Sequence, residues 1–521
     1  MLNTQVLIIG AGPTGLMMAN QLQRLGIDFE IIDIKGEPTD QSRALAVSAR
    51  SMELYQQLGL SDEVLNNSVD LMGFKIFQNG KTKATVNLQN LGNGLSDFPN
   101  FMNAFEQSKN ETLLAENLIK KGKSVLWKHK FISQKSIPEG VEVTVKDMVN
   151  DVEKTFIANY LVGCDGASSP VRKSTNLSFE GGTYENKFFV ADTTIEWDFE
   201  YDKVMLVPTD KVFITFFPLM GKNKMRIIGT LPIEFTDKEN IDFEDLETVI
   251  RQHTKLTFDI KTVGWHSIYR IHHRCVNNFR SGNIFLAGDS AHIHSPAGGQ
   301  GMNTGLQDAH NLAWKMAMVL KGIAKPSLLE TYNEERLPFA QALLNSTDKG
   351  FTFLADDSFW IRNIRKYFLL PRMARLLKMN AFKKFAFKKI SQIQYGYRNY
   401  SLSKGQSKNG LSFKAGDRIP YVEPKYYSKF KAPVFHLIAL SNQSLSDERM
   451  ANIKEQFPFD VKIIKEDVTT QWKDLGVQED LFILVRPDQY ILSINNDLEK
   501  IHSSIQNYFF LTHSKRAFAH S

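Results

Sequence analysis

Residues 283–315 read NIFLAGDSAHIHSPAGGQGMNTGLQDAHNLAWK, and the rest of the chain is organised around them. A short apolar strand turns at Gly288-Asp289, passes through a loop with Pro296, Gly298, Gly299 and Gly301, and runs into a helix. From Met302 the apolar residues recur at helical spacing (Met302, Leu306, Ala309, Leu312, Ala313, Met316, Ala317, Leu320), with Gly322 as the stop. Glycines ahead of a helix let a ligand approach the backbone, where the unpaired N–H groups carry partial positive charge. The expected occupant is an anionic or polarised group; the alternative is a tight turn with no ligand.

A second glycine turn lies near the start of the chain. Residues 4–34 read as strand TQVLIIG, helix Thr14–Leu25 ended by Gly26, and strand DFEIIDI. The turn Gly10-Ala11-Gly12-Pro13-Thr14-Gly15 is a G-x-G-x-x-G in the strand-to-helix position of a dinucleotide-binding unit. There Gly10 permits the turn, Gly12 admits a pyrophosphate, and Gly15 lets helix and strand pack closely. Asp33, at the end of the second strand, suits an adenosine ribose. FAD and NAD both remain open from these residues alone.

Composition bounds the remaining readings. The 521 residues are 42% hydrophobic and 11% aromatic, enough for two or three buried cores. No apolar run approaches the roughly 20 residues of a membrane span, and the first residues lack the basic flank and cleavage site of a signal peptide. A cytoplasmic location is the expectation. Cys164 and Cys275 are the only cysteines, which excludes a disulfide framework and a CxxC redox centre, so redox chemistry requires a cofactor. The net charge of +6 is local: residues 358–416 hold 14 Lys and Arg and no acid, leaving the remainder net acidic. With no zinc-finger or aromatic-rich RNA-binding signature, nucleic acid is not an expected partner.

Between the two glycine turns, residues 41–60 predict a loop with Arg43, a candidate phosphate partner, and a helix ending at Gly59. FEQSKNETLLAENLIKKG predicts a helix closed by Gly122, with Gln107, Glu111 and Leu114 near one face. Strand-like residues 140–166 end in an Asp165-Gly166 turn followed by Ser169 and Arg172. Residues 184–232 give several strands, a natural wall for a substrate pocket. Residues 261–280 carry Trp265, His266, Tyr269, Arg270, His272, His273 and Arg274, without the further ligands a metal site needs. Beyond the helical 327–348, the basic stretch reads as a partly amphipathic helix that packs on the acidic remainder or meets an anionic membrane surface. Residues 403–411 resemble a linker. Residues 433–510 follow the order strand, helix, strand, strand, strand, helix.

Taken together, GAGPTG at 10–15, YLVGCDGASSPVR at 160–172 and the 283–315 stretch resemble the class A flavoprotein monooxygenases with the para-hydroxybenzoate hydroxylase fold, over about residues 4–345. The tail, with Arg486-Pro487-Asp488, is similar to the thioredoxin-like domain of the phenol hydroxylase and pentachlorophenol monooxygenase branch. The resemblance implies an α/β fold: a Rossmann-like FAD-binding domain (1–70, 104–180 and 275–350) and an inserted β-sheet substrate domain (71–103 and 181–274). A basic helical segment (351–402) and a thioredoxin-like domain without CxxC (411–521) follow.

By position, the resemblance places Gly10, Gly12, Pro13, Thr14 and Gly15 on the FAD pyrophosphate and Asp33, where Glu is usual, on the adenosine ribose. Arg43 and Gln107 would hold the phosphate and ribityl region, Asp289 the ribityl chain, and Asp165 both FAD and the approach of nicotinamide. Pro296 would rigidify the loop beside the flavin ring, and the helix start at Gly299, Gly301, Met302 and Asn303 would face its N1–C2–O2 edge. No second strand, glycine turn and helix unit is seen, so NAD(P)H is expected to visit as a co-substrate. The implied reaction hydroxylates a small aromatic molecule, phenolic or polyketide-like, with O2 through a flavin C4a-hydroperoxide. His266, Tyr269, Arg270 and His294 are the candidates for activating a phenol. A homodimer is a further expectation. Rival readings are a halogenase, whose W-x-W-x-I-P signature is absent, a polyprenyl reductase, and a flavin-binding or membrane-recruited protein that is not an enzyme.

Overall fold

The computed structural model describes residues 1–510 except 43, 101, 210, 236–237, 239, 295–298, 356–378, 404–408 and 442–445. Arg43, Pro296 and much of the basic segment therefore lie outside the described residues.

The strand Leu2–Ile9 lies between Phe29–Ile32 and Val152–Gly163, parallel to both, and Ile284–Leu286 continues the parallel set beyond Val152–Gly163. Helices cover this sheet, which is why VLII is buried throughout and reads as an unbroken apolar run. Register brings Ile9 level with Ile32 and Gly163, and Gly163 level with Leu286. Gly10, Asp33, Cys164-Asp165 and Ala287-Gly288-Asp289 thus all emerge from one edge, at the carboxyl ends of neighbouring parallel strands. Ligands of open α/β sheets bind at that edge.

An eight-stranded sheet takes strands from 73–87 and 179–276, with His292–Ile293 as a short edge strand. One face packs Phe189, Phe216 and Ile227 against Leu246, Val249 and Ile250 of the helix Phe243–Thr254. The opposite face, with Val204, Phe217 and Leu219, meets Leu45, Ala46 and Met102 beside the first sheet. The C-terminal residues build a four-stranded sheet in the order Val461–Glu466, Phe435–Leu440, Leu481–Val485, Ile491–Asn495, with the first pair parallel and the others antiparallel.

The helix Gly301–Leu320 runs through the middle of the molecule, buried on nearly all sides. Several of its polar residues are consequently paired inside the protein. Lys315 Nζ and Arg486 both bond Glu335, at 2.8 and 2.6 Å, and the Trp314 indole donates to Asp488 at 3.0 Å. Arg50 donates to the Asp488 carbonyl at 2.7 Å and to Gln489 at 2.6 Å. Arg486-Pro487-Asp488 thereby fastens the C-terminal sheet to this helix and to the helix Ala49–Leu58.

Candidate active site

The glycine turn at 10–15 has the shape a pyrophosphate requires. Gly10 adopts φ +103°, and a Cβ there would lie 2.4 Å from the Cys164 carbonyl oxygen; a Cβ on Gly15 would lie 1.8 Å from the Gly10 oxygen. Those two positions are closed by protein. Gly12 is open: the nearest atom to its Cβ position is Glu111 Oε1 at 4.0 Å. Pro13 occupies the first helical position, where its missing N–H costs no hydrogen bond. Asp33 accepts the Ala11 N–H at 2.6 Å and the Lys35 N–H at 2.8 Å, which fixes the turn and leaves carboxylate lone pairs for a ribose.

Gln107 and Glu111 form the flank. Gln107 N–H donates to Ser42 Oγ at 2.7 Å, and Gln107 Oε1 accepts the Ala44 N–H at 3.2 Å, so Ser42 and Ala44 are both tied to Gln107. Glu111, fully buried, accepts from Gln107 at 3.0 Å, the Thr39 N–H at 2.8 Å and Lys35 at 2.9 Å. Sequence spacing placed Glu111 on this face without revealing that it organises the loop.

Asp165 and Asp289 come from adjoining turns. Ser169 Oγ donates to Asp165 at 2.5 Å, and the Val171 N–H at 3.0 Å; burial nevertheless raises the Asp165 carboxyl above the usual range. Ser290 Oγ donates to the Gly163 carbonyl at 2.6 Å, and Arg172 donates to the Ser290 carbonyl at 2.8 Å. These bonds lock the Asp165 turn to the Asp289 turn. Asp289 itself is exposed. Gly288 needs φ +62°, and Thr14 is wedged between it and Gly305, whose Cβ position is 2.2 Å from Thr14 Oγ1. The first and third motifs therefore meet at one threonine.

At the start of the helix Gly301–Leu320, Asn303 donates to the Ala46 and Gly299 carbonyls at 2.8 Å each and accepts the Ser48 N–H at 2.9 Å. Gly299 takes φ +62° with its Cβ position 2.7 Å from Ala46 Cβ, and the Met302 sulfur accepts from Asn110 at 3.6 Å. His294 lies beside this turn, its ring 3.6 Å from the Gly301 Cβ position. Below, Asp308 accepts the Gly288 N–H at 3.1 Å, His292 Nε2 at 2.7 Å and Arg336 Nε at 2.7 Å. Burial opposes the Asp308 charge, but Arg336 and His292 outweigh it and hold the carboxyl below its usual range. An acid on the buried face of an apolar helix was the sequence signal for Asp308; Arg336, which neutralises it, was not visible at that distance along the chain.

The activation candidates on the strand Asp259–Val276 separate. Pairing sets His266 opposite Ala191, Tyr269 opposite Phe188 and Arg270 opposite Lys187. Strand alternation sends His266 and Arg270 to the face covered by the helix Phe243–Thr254, and Tyr269 to the other face. Tyr269 shares its face with Trp265, Asp192 and Arg226. The buried Arg226 grips Asp192 through two bonds of 2.7 Å, Trp265 donates to Asp192 at 2.8 Å, and Arg226 reaches Ser42 Oγ and the Ala44 carbonyl at 3.4 Å. This face, carrying an Arg–Asp–Trp cluster the sequence did not single out, adjoins the loop that Gln107 holds.

An open Gly12, a fixed Asp33, an exposed Asp289 and a glycine-lined helix start along one sheet edge fit an extended dinucleotide whose far end meets that helix. The arrangement is that of an FAD-dependent flavoprotein. The family model for the FAD binding domain matches residues 3–347, and the chain belongs to that family. It is 30% identical to pentachlorophenol 4-monooxygenase of Sphingobium chlorophenolicum over 504 residues, 95% of this chain and 87% of that protein. Among solved structures it is similar to the anhydrotetracycline hydroxylase OxyS of Streptomyces rimosus, with TM-score 0.76 and 26% identity over 98% of this chain and 99% of that one. The flavin-dependent monooxygenase PieE, solved with FAD and substrate, shares the fold with TM-score 0.79 and 20% identity over 97% and 99%. The protein is an FAD-dependent monooxygenase of the aromatic hydroxylase class.

Proposed function

We propose that this enzyme consumes NAD(P)H and O2 to hydroxylate an electron-rich ring of a phenolic or polycyclic polyketide-like molecule, the substrate classes named for its relatives. The observation that carries the reading is the alignment of Gly10–Gly15, Asp165 and Asp289 along one sheet edge, facing the start of the helix Gly301–Leu320. Bound FAD supplies the redox and oxygen chemistry. The Gly10–Gly15 turn and the helix starting at Pro13 bind its pyrophosphate, Asp33 its adenosine ribose and Asp289 its ribityl chain. The first N–H groups of Gly301–Leu320, which have no partner within the helix, stabilise negative charge on the flavin edge. The Arg226 face of the eight-stranded sheet closes the reaction space against water and orients the substrate ring.

We also read the C-terminal sheet as a thioredoxin-like scaffold without redox function, since both cysteines lie outside it. The domain division above, a cytoplasmic location and a homodimer belong to the same proposal. The decisive experiment measures NADH and NADPH oxidation, O2 uptake and peroxide release by the FAD-loaded protein across panels of phenols and tetracyclic polyketides. Slow oxidation alone, raised about tenfold or more by a substrate that is recovered hydroxylated, is the expected result. A panel in which every stimulated electron pair appears as peroxide, with no hydroxylated product, would sink the reading.

A further inference from the structure

Lys187 and Arg270 stand directly opposite one another across the antiparallel strands Phe179–Glu196 and Asp259–Val276. Alternation puts both on the Phe189 face, the reverse of the face that carries Arg226. Like charges in directly opposed positions weaken a sheet. Lys187 Nζ donates to the Lys238 carbonyl at 2.8 Å, and Arg270 has no ion-pair partner among the described residues. Of the described carboxylates nearby, Asp242 accepts the Asp245 N–H at 2.9 Å as the helix cap, and Asp245 pairs with Lys238 at 2.6 Å.

The two cations open into a cavity of about 600 Å³, formed also by Asn240, Ile241, Asp242, His266 and Ile268. His266 and Arg270 flank Ile268 on the same strand face, so the cavity has an apolar floor between polar ends. The Phe243 ring lies 6.0 Å from that of His266. A local rule broken without a compensating ion pair among the described residues is the pattern of a functional site. An oxyanion placed between Lys187 and Arg270 would turn the repulsion into two charge-assisted hydrogen bonds.

We propose that this cavity is an accessory binding site for a small organic oxyanion, a carboxylate or phosphate on a flat apolar body. Arg270 and Lys187 hold the oxyanion, Ile241 and Ile268 carry the body, and Asn240 and His266 offer polar contacts at the rim. The site lies on the opposite face of the sheet from Arg226 and is separate from the hydroxylation chemistry.

The test is calorimetric titration of the full-length, FAD-loaded protein with benzoate, phenyl phosphate, inorganic phosphate and the neutral benzamide, with the flavin absorption spectrum followed in parallel. Saturable binding of benzoate or phenyl phosphate at one site, none of benzamide, and an unmoved flavin spectrum are expected; the tighter of the two ligands identifies the headgroup. Arg270→Ala and Lys187→Ala each weaken binding about tenfold, Arg270→Glu removes it, and Arg270→Lys retains it within a few-fold. Flavin content, equal to that of the parent, certifies that the variants are folded. No saturable binding, binding unaffected by Arg270→Glu, or binding that perturbs the flavin spectrum would each overturn the site. Inorganic phosphate binding as tightly as phenyl phosphate would overturn the apolar part of the assignment.

Discussion

The backbone N–H of Gly288 donates to the carboxylate of Asp308 at 3.1 Å, so the turn that presents Asp289 is held from beneath by a helix twenty residues further on. The carboxylate is itself paired with the Arg336 guanidinium and hydrogen-bonded to the His292 ring. Asp308→Asn leaves the Arg336 guanidinium buried without its counter-charge, at a cost of about 3–5 kcal/mol. Thermal unfolding of the apoprotein should shift down accordingly, and FAD should dissociate faster; an unchanged FAD off-rate would detach Asp308 from the turn.

Asp289 is exposed, so its removal disturbs no core. Asp289→Ala should weaken FAD binding about tenfold or more, the loss of a hydrogen bond made by a charged group. Fluorescence titration of the apoprotein with FAD measures this directly, and equal affinity would return the Gly288-Asp289 turn to an ordinary structural role.

Thr14 between Gly288 and Gly305 makes a steric prediction. Gly305→Ala places a methyl group 2.2 Å from Thr14 Oγ1 and should destabilise the fold by about 1–3 kcal/mol. Thr14→Ala in the same chain should recover most of that loss. Strictly additive denaturation free energies would show that the two residues do not oppose one another.

Arg226, gripped by Asp192, which also accepts from Trp265, ties the eight-stranded sheet directly to Ser42 and Ala44. Arg226→Lys keeps a charge but loses the fork that matches a carboxylate. Substrate-stimulated NAD(P)H oxidation should fall about tenfold with more of it lost as peroxide, and FAD content should stay near that of the parent. Full coupling in Arg226→Lys would leave the cluster a purely structural contact.

The pair Arg486–Glu335 gives a pH dependence. Burial alone would raise the Glu335 carboxyl, but Arg486 and Lys315 outweigh it and bring it down to about 2, from an ordinary value of 4.5. Between these values the unfolded chain binds the proton and the folded one does not, so this stabilisation is complete above about pH 4.5 and disappears as pH falls through about 2. Glu335→Gln should therefore be least stable relative to the parent at neutral pH, and the gap should narrow on acidification. A gap that is constant from pH 7 to pH 3 would contradict the assignment.

The sequence alone determined the parallel strands, the two glycine turns and the helix from Met302, because each is written in local chemistry: apolar runs, positions that only glycine can fill, and helical spacing. It also placed Asp33, Gln107, Asp165 and Asp289, each beside a turn or at a helix start. Tertiary structure decided what those signals could not carry. Register between strands far apart in the chain aligned the turns on one edge. Alternation along Asp259–Val276 split His266 and Arg270 from Tyr269, which sequence proximity had grouped together. The charges that neutralise Asp308 and Glu335 come from other elements, and so does the Asp192 that holds Arg226, because a buried charge takes its partner from whatever segment the fold packs against it rather than from its neighbours along the chain.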